Sequence, residues 1–290
     1  MDKLEIRDAI PEDKDEILGF CRTTWDWGDY IEYVWDDWFN DPHGRLIVGL
    51  LDGVPVAVVH MGLLPSGEGW LEGMRIAPEH RDKQIGTALS NYCLEEIAKT
   101  DIRVVRYMTA SSNKPVQKIS EKHGFRRFGS CYVMWAGLQD GESDSLIKLS
   151  PDCVDELWSF IEQSDVYKSC AGLYSVGWVY QEFNKERLKY HLEQGEVYAL
   201  AGQGPLDAFA IVVTSWLHKG PVIGYLDGKN TQLIGTLVSG LRLLDMSAEV
   251  TVDRRIDANF PELEWMKELY LKACYKPYYY EPFYLYELNP

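Results

Sequence analysis

The chain has 290 residues, enough for one large domain or two of ordinary size. Its hydrophobic content of 46% and charged content of 26% are those of a globular protein. A formal net charge of −16 argues against nonspecific nucleic-acid binding, which needs clustered Lys and Arg to displace counterions. The cysteines (Cys21, Cys93, Cys131, Cys153, Cys170, Cys274) show no Cys-x-x-Cys pair, and the histidines show no metal spacing. The start Met1-Asp2-Lys3-Leu4-Glu5 has no apolar signal core, and no apolar run approaches membrane-spanning length. A reduced, metal-free cytoplasmic protein that binds neither nucleic acid nor membrane is expected, as a monomer or homodimer.

In chain order, Leu4–Arg7 reads as a strand and Pro11 opens a helix to about Thr24. An aromatic helix follows from about Tyr30 to Phe39. Arg45–Leu51 and Val54–Met61 alternate as strands around Asp52-Gly53, a strong hairpin signal. Trp70–Ile76 is a strand, Ile85 to about Lys99 an amphipathic helix, Val104–Met108 a strand, and Pro115–Lys122 a helix. Strands at Arg126–Phe128 and Cys131–Gly137 complete the half.

Gln139–Ser145 is polar and Gly-containing, as a linker would be. The pattern then restarts: Pro151 and Asp155 repeat Pro11 and Asp15 at an offset of 140. Val197–Ala201 with Asp207–Thr214 repeats the hairpin, and Gly220–Leu226 leads to Ile234-Gly235-Thr236, as Ile76 leads to Ile85-Gly86-Thr87. A helix at Leu237–Leu244, a strand at Glu249–Val252, a helix at Glu262–Ala273 and a Tyr-rich final strand keep the order. This is an internal duplication of one α/β unit, with domains expected at 1–139 and 146–290. At an offset of 149, Asn230 stands where Arg81 does, so the second copy has lost a charged residue of the first.

The run Met74–Leu89 carries the most chemistry. A strand breaks at Pro78, passes a polar loop and enters a helix near Gln84. Such a helix start points unpaired N–H groups and the positive end of the helix dipole one way, which makes an anion site. Arg81 adds a formal charge, and Gly86 permits close approach of a diphosphate to the backbone.

These residues resemble the GCN5-related N-acetyltransferase (GNAT) family. Ile76-Ala77-Pro78 leads into Arg81-Asp82-Lys83-Gln84-Ile85-Gly86, which is similar to that family's Arg/Gln-x-x-Gly-x-Gly/Ala loop, with Gln84 in place of the central glycine. Asn113 followed by a helix and Gly124-Phe125 is similar to a second family motif, although Ser120 stands where a tyrosine is common. Gly28-Asp29-Tyr30 and Glu72–Pro78 look most like the two-domain histidine N-acetyltransferase-like members. The resemblance implies an α+β fold with a mixed, mostly antiparallel sheet flanked by helices, duplicated with a degenerate second copy. It also implies acetyl-CoA as co-substrate, without a metal.

Mapped onto this chain, the resemblance assigns main-chain partners of pantetheine to Met74, Arg75 and Ile76. The Met74 N–H would face the thioester oxygen and strengthen as charge grows there. Arg81, Asp82, Lys83, Gln84, Ile85, Gly86 and Thr87 would hold the pyrophosphate. Were a positive φ required at Gln84, its side chain would cost about 1 kcal/mol. Asn113 either organises the cofactor edge or caps a helix.

On a regular strand Glu72 shares a face with Trp70 and Met74, which makes it the general-base candidate or else a strand-end salt bridge. His60 is the reserve base or a satisfied core histidine. The rings of Trp25, Trp27 and Tyr30 could clasp an amine, with Asp26, Asp29 or Glu32 pairing its charge, or could anchor helices in the core. The leading reading is an N-acetyltransferase acting on a small-molecule amine of the amino acid or polyamine class. A peptide N-acetyltransferase and a non-catalytic acyl-CoA sensor are the alternatives.

Overall fold

The computed structural model describes residues 3–25, 28–64, 66–81, 83–141, 144–215, 220–244 and 254–290. Asp26, Trp27, Asp82 and the strand expected at 249–252 lie outside the described residues. The chain divides into two units, one of residues 1–109, 113–127 and 286–290, the other of 110–112 and 128–285.

The first unit is a sheet in the order β1 (Leu4–Asp8), β2 (Gly44–Leu51), β3 (Val54–Leu64), β4 (Glu68–Ile76), β5 (Val104–Ala110). Neighbours are antiparallel except β4 and β5, which run parallel. Asp52 and Gly53 both take positive φ between β2 and β3, the geometry that a two-residue hairpin demands. Pro11 opens a 3-10 turn that leads into α1 (Lys14–Cys21), and α2 (Ile31–Phe39) follows. Ile17, Leu18, Ile31, Val34, Trp35 and Trp38 of these two helices are buried. On α3 (Ile85–Ile97), Ile85, Leu89, Cys93 and Ile97 recur every four residues and are all buried, a single apolar stripe. Helix α4 (Lys114–Lys122) precedes β6 (Arg126–Gly137).

The boundary differs from the expected one at the 139–145 linker. The two strands anticipated around Gly129 are one continuous β6, whose first two residues belong to the first unit and the rest to the second. The last five residues also belong to the first unit, where Tyr286 stacks on Tyr107 at 5.2 Å and Glu287 pairs with Arg106 and Arg126.

The second unit repeats the plan. After β7 (Leu146–Lys148) come α5 (Val154–Ile161), α6 (Asp165–Ser169), the hairpin β8 (Leu173–Val176) and β9 (Val179–Glu182), and α7 (Lys185–Glu193). Then follow β10 (Val197–Leu200), β11 (Phe209–Thr214), β12 (Pro221–Asp227), α8 (Thr231–Gly240), β13 (Arg255–Pro261), α9 (Glu264–Lys272), β14 (Lys276–Pro277) and β15 (Phe283–Leu288), whose last three residues belong to the first unit. The sheet order is β6-β13-β12-β11-β10-β7, with one parallel pair, β12 and β13, as β4 and β5 are parallel in the first unit.

The duplication reaches the detail of a bulge. In β4, Glu72 faces His60 and Arg75 faces Val58, so β4 carries one extra residue there. In β12, Tyr225 faces Ile211 and Ile223 faces Val212, so Gly224 is the extra residue. Each bulge has a glycine because another element crosses it closely. A β-carbon on Gly73 would stand 2.5 Å from Trp38 Cζ3, and one on Gly224 would collide with the Ser175 carbonyl oxygen of β8.

Candidate active site

The β4 bulge decides which side chains meet. Strict alternation would place Glu72 and Met74 on one face, but the extra residue at Gly73, with φ +67°, shifts the phase. Glu72 and Arg75 therefore share the face of His60 and Val58. Met74 and Ile76 turn to the opposite face: a β-carbon on Gly86 of α3 would lie 3.1 Å from Ile76 Cδ1 and 3.8 Å from Met74 Sδ. The expected common face of Glu72 and Met74 is thus corrected.

The β4–β5 ladder covers only Glu68–Trp70 against Val104–Arg106. Beyond it β4 continues to Ile76 without a β5 partner, beside the start of α3. There Gln84 is the N-cap residue at φ 62°, ψ 11°, the left-handed region that favours glycine. Ala88 N–H donates to the Gln84 carbonyl at 3.0 Å. Among the described residues no side chain caps the amides of Ile85, Gly86 and Thr87 upstream of it. Arg81 Nε lies 3.4 Å from the Ile76 carbonyl, which keeps the guanidinium at this turn, and Lys83 Nζ lies 3.1 Å from His80 Nδ1.

In the second unit the corresponding helix α8 closes its own start, with Asn230 Oδ1 accepting from Gln232 and Leu233 N–H at 3.1 and 3.2 Å. Beside the β12–β13 pair lies a cavity of ≈ 10 Å³ lined by Tyr180, Tyr225 and Asn259, about the room of one water. The open turn of α3 thus has a closed counterpart in α8.

Asn113 acts as the cap of α4: its Oδ1 accepts from Val116 N–H at 3.5 Å, and its Nδ2 donates to Thr109 Oγ1 at 3.1 Å. Ser120 of α4 is buried beside the Tyr107 hydroxyl of β5, whose titration burial pushes upward.

On the α2 side of β4 a second constellation forms. His60 Nδ1 is 3.0 Å from Glu72 Oε1, and its Nε2 is 3.3 Å from Asp41 Oδ2, an ion-pair distance off the line of an ideal hydrogen bond. The imidazole lies flat on Trp38, with centroids 4.8 Å apart and planes 5° from parallel. Burial would lower the His60 pKa, but the Asp41 and Glu72 carboxylates outweigh it and the net direction is up. The His60 contact in turn holds Asp41 below the usual carboxylate range. Asp41 escaped sequence reasoning, since nothing in spacing links it to a strand residue nineteen positions on; only the turn-forming Asp41-Pro42-His43-Gly44 marks it.

Trp25 and Tyr30 do form a cation cage, but the cation is internal. The Arg75 guanidinium sits 4.4 Å from the Trp25 ring and 5.2 Å from the Tyr30 ring, and it forks onto Asp29 with bonds of 2.6 and 3.1 Å. Desolvation pushes the Tyr30 hydroxyl up to about 12. The Arg75 side chain is therefore directed away from the α3 turn, and only its main chain remains for a cofactor. Asp29 is paired with Arg75 and Glu32 with Arg22 at 2.8 Å, so these two of the carboxylates expected to meet an amine are otherwise engaged.

The sequence profile of the acetyltransferase (GNAT) family matches residues 10–125, which contain both constellations. A histidine N-acetyltransferase of Oreochromis niloticus is 29% identical over 93 residues, 32% of this chain and 28% of that protein. Another, from Scomber australasicus, is 26% identical over 106 residues, 36% of this chain and 32% of that protein. The matched part thus spans about a third or less of these relatives. A GCN5-related N-acetyltransferase from Sphaerobacter thermophilus superimposes with a TM-score of 0.62 at 13% identity, covering 99% of this chain and 96% of that one. A GCN5-related glucosamine N-acetyltransferase region of a fungal multi-domain β-N-acetylglucosaminidase gives 0.63 at 12% identity, covering 99% and 38%. At these identities the two structures establish the fold. Among the described residues no helix is long and apolar enough to cross a membrane, and no group of His, Cys, Asp and Glu could hold a metal.

Proposed function

We propose that the protein, whose residues 10–125 match the acetyltransferase (GNAT) family, transfers an acetyl group from acetyl-CoA to the primary amine of a small molecule. The observation that carries this reading is the uncapped start of α3 beside the stretch of β4 that has no β5 partner. Three amides lie there beside Arg81, and Gly86 lets α3 pack closely on β4, where a β-carbon would stand 3.1 Å from Ile76 Cδ1. That is a fit for a diphosphate with an extended tail, and the capped α8 lacks it. Acetyl-CoA supplies the acetyl group as a thioester. Arg81 and the Ile85–Thr87 amides hold its diphosphate, and the main chain of Met74 and Ile76 pairs with the tail.

Glu72 takes the amine's proton: its carboxylate is oriented by His60, on the face of β4 that Arg75 shares beside Trp25 and Tyr30. Trp25 and Tyr30 wall the acceptor side, with the Arg75–Asp29 pair fixing their rings in place. An acceptor of amino-acid size agrees with the names of the two curated relatives, and histidine is the first amine to try.

Thiol release from acetyl-CoA is to be followed with the full chain and a panel of free amino acids and polyamines. Turnover with a small amine is expected. Glu72→Gln should lower kcat by roughly 10²–10⁴-fold while calorimetric acetyl-CoA affinity holds. Acetylation of peptides alone, or binding without turnover, would replace the reading with a peptide acetyltransferase or a sensor.

A further inference from the structure

Proton removal by Glu72 does not by itself require a buried histidine with a carboxylate at each nitrogen. The His60 side chain is 5% exposed, with Glu72 Oε1 3.0 Å from Nδ1 and Asp41 Oδ2 3.3 Å from Nε2. A neutral imidazole has one N–H and one lone pair. If it were neutral here, the lone pair would face a carboxylate oxygen in a site with little water to screen it. Protonation of both nitrogens removes the conflict.

The surroundings favour that form. The ring is stacked on Trp38, whose face attracts a cation. The Asp41 carboxylate is pinned by its own turn, Oδ1 accepting from His43 N–H at 2.9 Å. Gly44 keeps the approach open, since a β-carbon there would collide with Asp41 Oδ2 and stand 2.7 Å from His60 Nε2. The groups facing His60 are Asp41 from the turn after α2, Glu72 from β4, Trp38 from α2 and Leu46 across the ladder from β2. The two carboxylates are the charged ones, and the balance moves His60 upward.

We propose that Asp41 is a positioning residue that holds His60 as an imidazolium bridge to Glu72. The three side chains then rest with a net charge of −1. An acceptor arriving as R–NH₃⁺ passes one proton to Glu72, becomes R–NH₂, and leaves the trio neutral. Without Asp41, His60 loses the charge that keeps it doubly protonated, and Glu72 loses a fixed orientation. This rests on the reading of Glu72 as proton acceptor, but its primary test does not require turnover.

The test is the pH titration of His60 in the ¹⁵N-labelled full chain, read from the imidazole nitrogens by NMR and assigned with His60→Gln. Both nitrogens of the unmodified protein should be protonated at pH 7. Asp41→Asn should move the midpoint down by at least one pH unit, and Gly44→Ala, which displaces the carboxylate without removing it, should move it the same way. In activity, Asp41→Asn should shift the pH profile of kcat along with the His60 midpoint, while KM for acetyl-CoA changes less than twofold. A neutral His60 at pH 7 in the unmodified protein overturns the proposal, as does a midpoint indifferent to Asp41→Asn. Absence of turnover with every amine would overturn the functional reading instead, with the titration still deciding the state of the bridge.

Discussion

Trp38 lies so close over Gly73 that a β-carbon added to the glycine would stand 2.5 Å from the ring's Cζ3. The backbone there also has φ +67°. The same residue thus permits both the close crossing of α2 and the extra step in β4 that separates Glu72 from Met74. Gly73→Ala should destabilise the protein by about 2–4 kcal/mol, from the left-handed backbone and the displaced ring together. Urea unfolding measures this. Because the phase of β4 shifts with it, kcat should fall by roughly a hundredfold.

Gln84 carries strain of the same kind without the crowding. Gln84→Gly should stabilise the protein by about 0.5–1 kcal/mol, seen as a rise in melting temperature, since glycine adopts φ 62° freely. Acetyl-CoA affinity should be equal or better. Weaker binding would mean that the Gln84 side chain is itself a ligand.

Removal of the charge at the α3 turn should act on the cofactor alone. Arg81→Ala should weaken acetyl-CoA binding by roughly 10–100-fold, as expected for a charge-assisted contact of about 1.5–3 kcal/mol. The Kd from calorimetry should change while the melting temperature of the ligand-free protein holds, because Arg81 is exposed.

At α8 the opposite is expected. Asn230→Ala deprives two amides of their acceptor and should cost about 1 kcal/mol of stability, with acetyl-CoA binding unchanged.

The buried carboxylate of Asp13 supplies a pH dependence of stability. Burial would raise its pKa, but the Arg7 fork at 2.7 and 2.9 Å and the Ile10 N–H at 2.8 Å more than offset this and lower it. A depressed carboxylate pKa contributes stability above the unfolded value near pH ~4, and that contribution is lost as pH falls through the folded pKa. The stability gap between the unmodified protein and Asp13→Asn should be full at neutral pH. It should close in acid, as followed by urea unfolding at a series of pH values.

Where local chemistry leaves one solution, the sequence announces it. Asp52-Gly53 needs two positive φ values and has them, and the four-residue spacing of Ile85, Leu89, Cys93 and Ile97 buries one face of α3. The Arg81–Thr87 turn was legible because its residues are contiguous. The bulge was not, because a period of two has no way to show one inserted residue. Asp41 reaches His60 through a turn, which leaves no periodic trace. The β8–β9 hairpin and α6, of four or five residues each, are too short to show a period. The expected common face of Glu72 and Met74 fails for that reason, since a shift of one residue along β4 sends every later side chain to the other face.

The glycine kink occurs in both halves, yet only the first half keeps an open helix start behind it. Its recurrence beside a helix start that Asn230 caps marks it as a requirement of the architecture, independent of the proposed chemistry. A lesion at Gly224 should therefore register only as misfolding, whereas one at Gly73 should register as misfolding and lost turnover together.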